Sequence, residues 1–293
     1  MALLSGVGVA LVTPFSSDLS VDFVALNRII EYVIHGKVNY LVALGTTGET
    51  ATLSEAEKIK ILEFIYEKVN GRIPVVVGIG GNNTAEVINC LQTWPLDNAE
   101  AVLSVSPYYN KPSQEGIYQH YAAIATSTKH NIILYNVPGR TSSNISVETT
   151  VRLAKAFKNI IGTKEASGNM LQCMHLAKER PEGFLLISGD DHITLPLIAL
   201  GFDGVISVAA NSFAAEFSQL VQNALDGNFT IANQLQHKLL DGFDLLFAEN
   251  NPAGVKAFMA EKGLLENVLR LPLVSLSDPW MQKVKDYISM SFS

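Results

Sequence analysis

A lysine closes an apolar, β-branched run at Ile160-Ile161-Gly162-Thr163-Lys164. Apolar surroundings disfavour the ammonium form, and a neutral amine can attack a ketone to form a Schiff base. The position therefore suits covalent carbonyl chemistry; a solvated lysine at a strand end is the plainer alternative. Tyr135 closes the preceding run of the same kind, so in a sheet of sequential strands the two are neighbours. A phenol there can shuttle protons during imine formation, or can simply be a core tyrosine with a satisfied hydroxyl. Thr46 and Thr47 lie in the segment Gly45-Thr46-Thr47-Gly48-Glu49. Its glycines let backbone N–H groups approach an anion, and the hydroxyls add donors, which fits a small carboxylate as well as an ordinary loop. Arg140 follows Pro138-Gly139. Its planar fork suits bidentate carboxylate binding or a surface ion pair.

Other chemistries find little support. Gly78-Ile79-Gly80-Gly81-Asn82-Asn83 lacks the third glycine of a dinucleotide fingerprint, and there is no Walker A motif. The histidines form no HExxH pair, and Asp190-Asp191-His192 reads as helix capping before it reads as a metal site. Cys90 and Cys173 lack CxxC spacing, so neither a zinc framework nor a disulfide scaffold is expected. A reduced, cytoplasmic protein without a metal is the simplest reading. With 21 basic and 28 acidic residues the net charge is -7, which argues against nucleic acid as a partner. The apolar opening, residues 1–15, has no basic flank and is interrupted by Gly6, Gly8 and Pro14, so it reads as a first strand and not a signal peptide. No apolar run approaches the ~20 residues that span a bilayer, so no membrane partner is expected.

The elements that position these residues follow from hydrophobic periodicity. Short apolar runs at 8–12, 40–44, 75–78, 101–105, 132–135, 160–164, 184–188 and 204–208 suit a buried parallel sheet. Between them lie amphipathic helices: Leu26, Ile29, Ile30, Val33 and Ile34 make one stripe, and Leu62, Ile65, Tyr66 and Val69 another. Ser54 and Glu57 form a capping box. Eight such units predict an α/β fold, a (β/α)8 TIM barrel, whose site lies at the C-terminal ends of its strands. All the residues singled out above fall just there. Four helical segments follow, at 213–225, 230–248, 252–261 and 279–290. The first reads as the eighth barrel helix. The expected division is therefore a catalytic barrel over 1–225 and a C-terminal helical appendage over 226–293, packed against it.

Together with Gly8-Val9-Ala10-Leu11-Val12-Thr13-Pro14-Phe15, the threonine turn, the lysine strand and Tyr135-Asn136-Val137-Pro138-Gly139-Arg140-Thr141 resemble the dihydrodipicolinate synthase family. That family belongs to the pyruvate-dependent N-acetylneuraminate lyase superfamily, and the resemblance runs over nearly the whole chain. It implies no cofactor beyond a covalent imine between Lys164 and pyruvate. Thr46 and Thr47 would hold the pyruvate carboxylate, and Arg140 the carboxylate of L-aspartate 4-semialdehyde. Tyr135, Thr47 and Tyr109 would relay protons, with Tyr109 supplied across a dimer interface. Gly189 and Ile206 match positions lining the pyruvate pocket. A homotetramer, as a dimer of tight dimers, is implied, as is a place in lysine and diaminopimelate biosynthesis. Two rivals remain. A sugar-acid aldolase or N-acetylneuraminate lyase would share Lys164 and Tyr135 but want a hydroxyl-rich acceptor pocket in place of Arg140. A non-catalytic keto-acid-binding barrel would need none of the reactive set.

The resemblance also implies a candidate effector site for lysine at the tight-dimer interface, at Thr50, Ala51, Asn82, Glu86 and Tyr108. Where responsive members carry histidines, this chain has Glu55 and Lys58. Their plain role is helix chemistry, Glu55 favouring the positive N-terminus. Lys58 would also set a positive charge beside a cationic effector, so weak or absent inhibition by L-lysine is the expectation.

Overall fold

Each apolar run forms a strand, and the eight pair in sequential order into a closed parallel barrel in which the last strand returns to the first. In this computed structural model, which describes residues 3–291, the strands are β1 Gly6–Ala10, β2 Tyr40–Ala43, β3 Val75–Gly78, β4 Ala101–Val105, β5 Ile132–Asn136, β6 Ile160–Glu165, β7 Leu185–Ser188 and β8 Gly204–Ser207. Met1, the first residue of the apolar opening, lies outside the described residues. The helices are α1 Phe23–His35, α2 Glu55–Val69, α3 Thr84–Thr93, α4 Gln114–Ser127, α5 Pro138–Thr141, α6 Val147–Ala156, α7 Met170–Glu179, α8 Thr194–Ala199, α9 Ala214–Leu225, α10 Phe229–Phe247, α11 Ala253–Glu261 and α12 Asp278–Ser291. No helix among the described residues is long and apolar enough to cross a membrane.

Side-chain alternation divides the core into two layers. Val42, Val76, Leu103, Ile133, Ile187 and Ile206 point into the barrel. Leu41, Val77, Val102, Leu134 and Leu186 pack outward against the helices, among them Leu26, Ile29, Ile30 and Val33 of α1. The Tyr40 ring fills the barrel close to Gly8, where a Cβ would come within 2.1 Å of it. Gly8 is thus required by a close approach.

Strand ends differ from the sequence expectation for local reasons. β1 starts and stops two residues early. Beyond it the Val12 N–H donates to the Asn211 side chain instead of a neighbouring strand. β2 stops at Ala43 because Leu44 is left-handed, with φ 56. The capping box of α2 is present, with Ser54 Oγ accepting from Glu57 N and Glu57 returning to Ser54 N. The capping expected of Asp190-Asp191-His192 takes another form. α8 has Ile193 at its N-cap position, without a side-chain cap. Asp190 Oδ1 accepts from His192 N, and Asp191 reaches across to Val208 N and Ala209 N after β8. Among the described residues no cluster fit for a metal ion occurs.

α9 packs against β1 and α1 as the eighth barrel helix. α10 lies against α8 and α9, and α11 and α12 lie against α10. Phe243, Val255, Phe258 and Val284 from these helices join the same apolar layer that covers the sheet.

Candidate active site

Lys164 on β6 is in register with Tyr135 on β5 and Ile187 on β7. It is 6% exposed, and its Nζ lies 4.2 Å from the centre of the Tyr135 ring. The adjacency expected from strand order is therefore present. Gly189, just past β7, is what makes room for the lysine. A Cβ there would lie 2.9 Å from Lys164 Cε and 2.6 Å from Ala166 Cβ. Ile206 of β8, two strands along the barrel from Lys164, is buried and lines the same cavity.

These residues line a cavity of about 370 Å³ at the C-terminal end of the barrel, together with Thr46, Thr47 and Arg140. Its floor is apolar and includes Ala10, Val42 and Leu103. A larger cavity, about 810 Å³, opens between the end of α2 with its following loop and the segment that leads into β4, at residues such as Glu63, Arg72 and Asp97, and holds none of the candidate site residues.

The two threonines occupy a single 3₁₀ turn, Thr46–Gly48. Thr47 is 3% exposed, and its Oγ1 accepts a hydrogen bond from Asn251 Nδ2 at 3.0 Å. Thr46 is exposed and borders both this cavity and a second one beside it. The turn is pinned by Glu49, a left-handed residue with φ 52. The Glu49 carboxylate is wholly buried, accepts from Lys256 Nζ of α11, and takes Arg270 N at 3.0 Å on its other oxygen. Burial pushes the Lys256 ammonium below the ordinary lysine value, with Glu49 opposing the shift. Arg270 in turn grips Glu57, and that hydrogen bond holds the Glu57 carboxyl at about 2.

Arg140 sits in the one-turn helix α5 at the mouth of the cavity. None of the ion pairs among the described residues involves it. Its Nη2 donates to Asn250 Oδ1 at 3.3 Å, a weak tether that leaves the guanidinium without an anion. Tyr109 is not brought to the site by its own chain. It is 88% exposed with φ 71, outside the cavity.

The second cavity, about 430 Å³, shares Thr46, Tyr135, Arg140 and Asn251 with the first. Thr50, Ala51, Lys58 and Tyr108 line it. Asn82 is linked to it through a hydrogen bond from Nδ2 to Tyr108 O at 3.1 Å. Glu55 and Glu86 are exposed and are not on its wall. Both lie near Cys90, whose thiol is pushed up by burial first and then by Glu55, with Lys58 opposing.

Two residues that shape the site escaped the sequence reading, Asn251 and Lys256. For Lys256 there was a signal, a lone charge inside the apolar helix Ala-Gly-Val-Lys-Ala-Phe-Met-Ala. For Asn251 there was none.

A closed (β/α)8 barrel with its polar cavity at the strand C-termini defines a TIM-barrel enzyme. The model of the dihydrodipicolinate synthetase family matches residues 3–291, and the chain belongs to that family. A 4-hydroxy-tetrahydrodipicolinate synthase of Flavobacterium psychrophilum is 53% identical over 278 residues, 95% of each chain. The solved structure of the dihydrodipicolinate synthase of Thermotoga maritima superposes with a TM-score of 0.96 at 38% identity, over 99% of each chain. That of Acinetobacter baumannii, solved in complex with pyruvate, gives 0.95 at 39% identity over 98% of each.

Proposed function

We propose that the chain is a 4-hydroxy-tetrahydrodipicolinate synthase, a carbon–oxygen lyase of lysine and diaminopimelate biosynthesis. It condenses pyruvate with L-aspartate 4-semialdehyde through an imine on Lys164. The observation that carries this reading is a buried lysine beside a tyrosine in a cavity that also holds two hydroxyls and an unpaired guanidinium. The neutral amine attacks C2 of pyruvate, and water leaves as the imine forms. The protonated imine then acts as electron sink: a base, for which Tyr135 and the proton relay are placed, removes a methyl proton and leaves an enamine. The enamine carbon attacks the aldehyde. Finally the amino group of the second substrate displaces Lys164 and closes the ring. Tyr135, in register with Lys164, is placed to move protons on and off the carbinolamine.

The surroundings of the threonines suggest a division of labour. Thr47, buried and held by Asn251, faces the pyruvate end. Thr46 is exposed and borders both cavities, so it is open to a group supplied from outside the chain, such as Tyr109 of a neighbouring subunit. The relay expected of Thr47 can thus be shared with Thr46. A tight dimer, paired into a tetramer in the cytoplasm, is the assembly this reading implies. Mixing inactive Tyr109→Phe chains with inactive Lys164→Ala chains should then restore part of the activity, because one site per mixed dimer regains both groups. No rescue after confirmed subunit exchange would leave Tyr109 without this role.

A coupled assay with pyruvate and the semialdehyde tests the function as a whole. Turnover supports the synthase. Turnover only with neutral sugar acids would support a sugar-acid aldolase, and binding without turnover a keto-acid sensor. Arg140→Ala should raise KM for the semialdehyde by roughly 10- to 150-fold, the worth of a charged hydrogen bond of about 1.5–3 kcal/mol, while pyruvate still forms its adduct. An unchanged semialdehyde KM would remove Arg140 from the acceptor site. With Lys58 on the wall of the second cavity, L-lysine should inhibit weakly; saturable inhibition at sub-millimolar lysine would contradict that.

A further inference from the structure

The one side chain of the described residues that donates to Thr47 comes from the other end of the chain. Asn251 lies between α10 and α11, 204 residues away, and is 5% exposed. A threonine hydroxyl has one proton and two lone pairs. The Asn251 Nδ2 group carries only hydrogens to give, so it occupies a lone pair of Thr47 Oγ1. Among the described residues no hydrogen bond has the Thr47 hydroxyl as donor, so its proton is left for the cavity it lines. We propose that Asn251 is a positioning residue that aims the Thr47 proton at the carboxylate of bound pyruvate. This rests on the pyruvate reading given above.

The arrangement is held from both sides. The turn carrying Thr47 is anchored through Glu49 to Lys256, one turn into the helix that follows Asn251. The Asn251 N–H donates to Asn250 Oδ1, so its own backbone is tied locally. The same Asn250 oxygen accepts from Arg140, which gives the turn a second route to the site. The two routes are separable, because Thr47 acts on the pyruvate end and Arg140 on the semialdehyde end.

The test measures KM for each substrate, and the pyruvate dependence of borohydride trapping, in a double-mutant cycle. Asn251→Asp replaces the donor by an acceptor, which takes the Thr47 proton and turns a lone pair toward the anion. Half-saturating pyruvate should rise by at least about 10-fold, as loss of a charge-assisted hydrogen bond implies, with the semialdehyde KM moving less. In a Thr47→Val background the same substitution should add little, since the two act as one unit. Asn251→Leu keeps the branched outline of the side chain, removes the donor and frees the hydroxyl to rotate. It should raise half-saturating pyruvate a few-fold with Thr47 present and not with Val at that position, and it carries the test if the Asp variant does not fold. An equal effect in both backgrounds would mean plain charge or packing, and would overturn the proposal. So would an effect confined to the semialdehyde KM, which would trace to Arg140. If the wild-type chain forms no pyruvate adduct, the imine reading fails, and this inference with it.

Discussion

Lys164→Ala should lower kcat by about 10⁴-fold or more, the scale on which removal of a covalent nucleophile acts. The barrel should remain folded, because Lys164 makes no ion pair among the described residues and its neighbours Ile133, Ile187 and Ile206 still fill the interior. Lys164→Arg should fail equally, although it restores the charge, because guanidinium stays protonated and cannot form an imine. Circular dichroism at unchanged melting temperature, read beside the coupled assay, separates lost chemistry from lost fold. A Lys164→Ala enzyme within about 10-fold of wild type would mean that another group does the work.

The second large effect is on stability. Lys256→Met should destabilise the protein by about 3–5 kcal/mol, because it strands the Glu49 carboxylate without its cation in a site closed to water. The lysine is 0% exposed, lies 4.2 Å from the Phe15 ring centre, and also donates to Val268 O at 2.9 Å. At roughly 2–4 °C per kcal/mol for a chain approaching this size, melting should fall by about 6–20 °C. Glu49 pins the turn that carries Thr46 and Thr47, so half-saturating pyruvate should rise as well. Replacing both partners, Glu49→Gln with Lys256→Met, removes the stranded charge and should recover much of the loss. A double variant as unstable as the single one would show that packing, not the buried charge, sets the cost.

The part of the site that was legible in the sequence is the part written in consecutive residues. Lys164 and Tyr135 each end an apolar run, and a barrel of sequential strands turns that into contact. Arg140 follows from its place after a Pro-Gly pair at a strand end, whereas Gly189 and Ile206 are implied by the family resemblance and line the same cavity. The fold itself was legible because eight runs of buried-strand type alternate with striped helices. What was not legible depends on pairings between distant segments. Asn251 and Lys256 belong to the helical region beyond residue 225, yet they hold the threonine turn in the first quarter of the chain. Nothing local in Asn250-Asn251-Pro252 says which turn it will touch. Strand ends were missed where a side chain took over a ladder bond, as Asn211 does at Val12, or where the backbone turned left-handed, as at Leu44. Asp191 stands where its own helix would take a cap, but its carboxylate reaches the loop after β8, a contact set by barrel closure.

Reduction with borohydride in the presence of pyruvate, followed by peptide mass spectrometry of the wild-type chain, tests the central claim most directly. The expected result is one reduced pyruvyl group per chain, on the peptide containing Lys164. An adduct on a different lysine, or none under conditions where the enzyme turns over, would contradict the account.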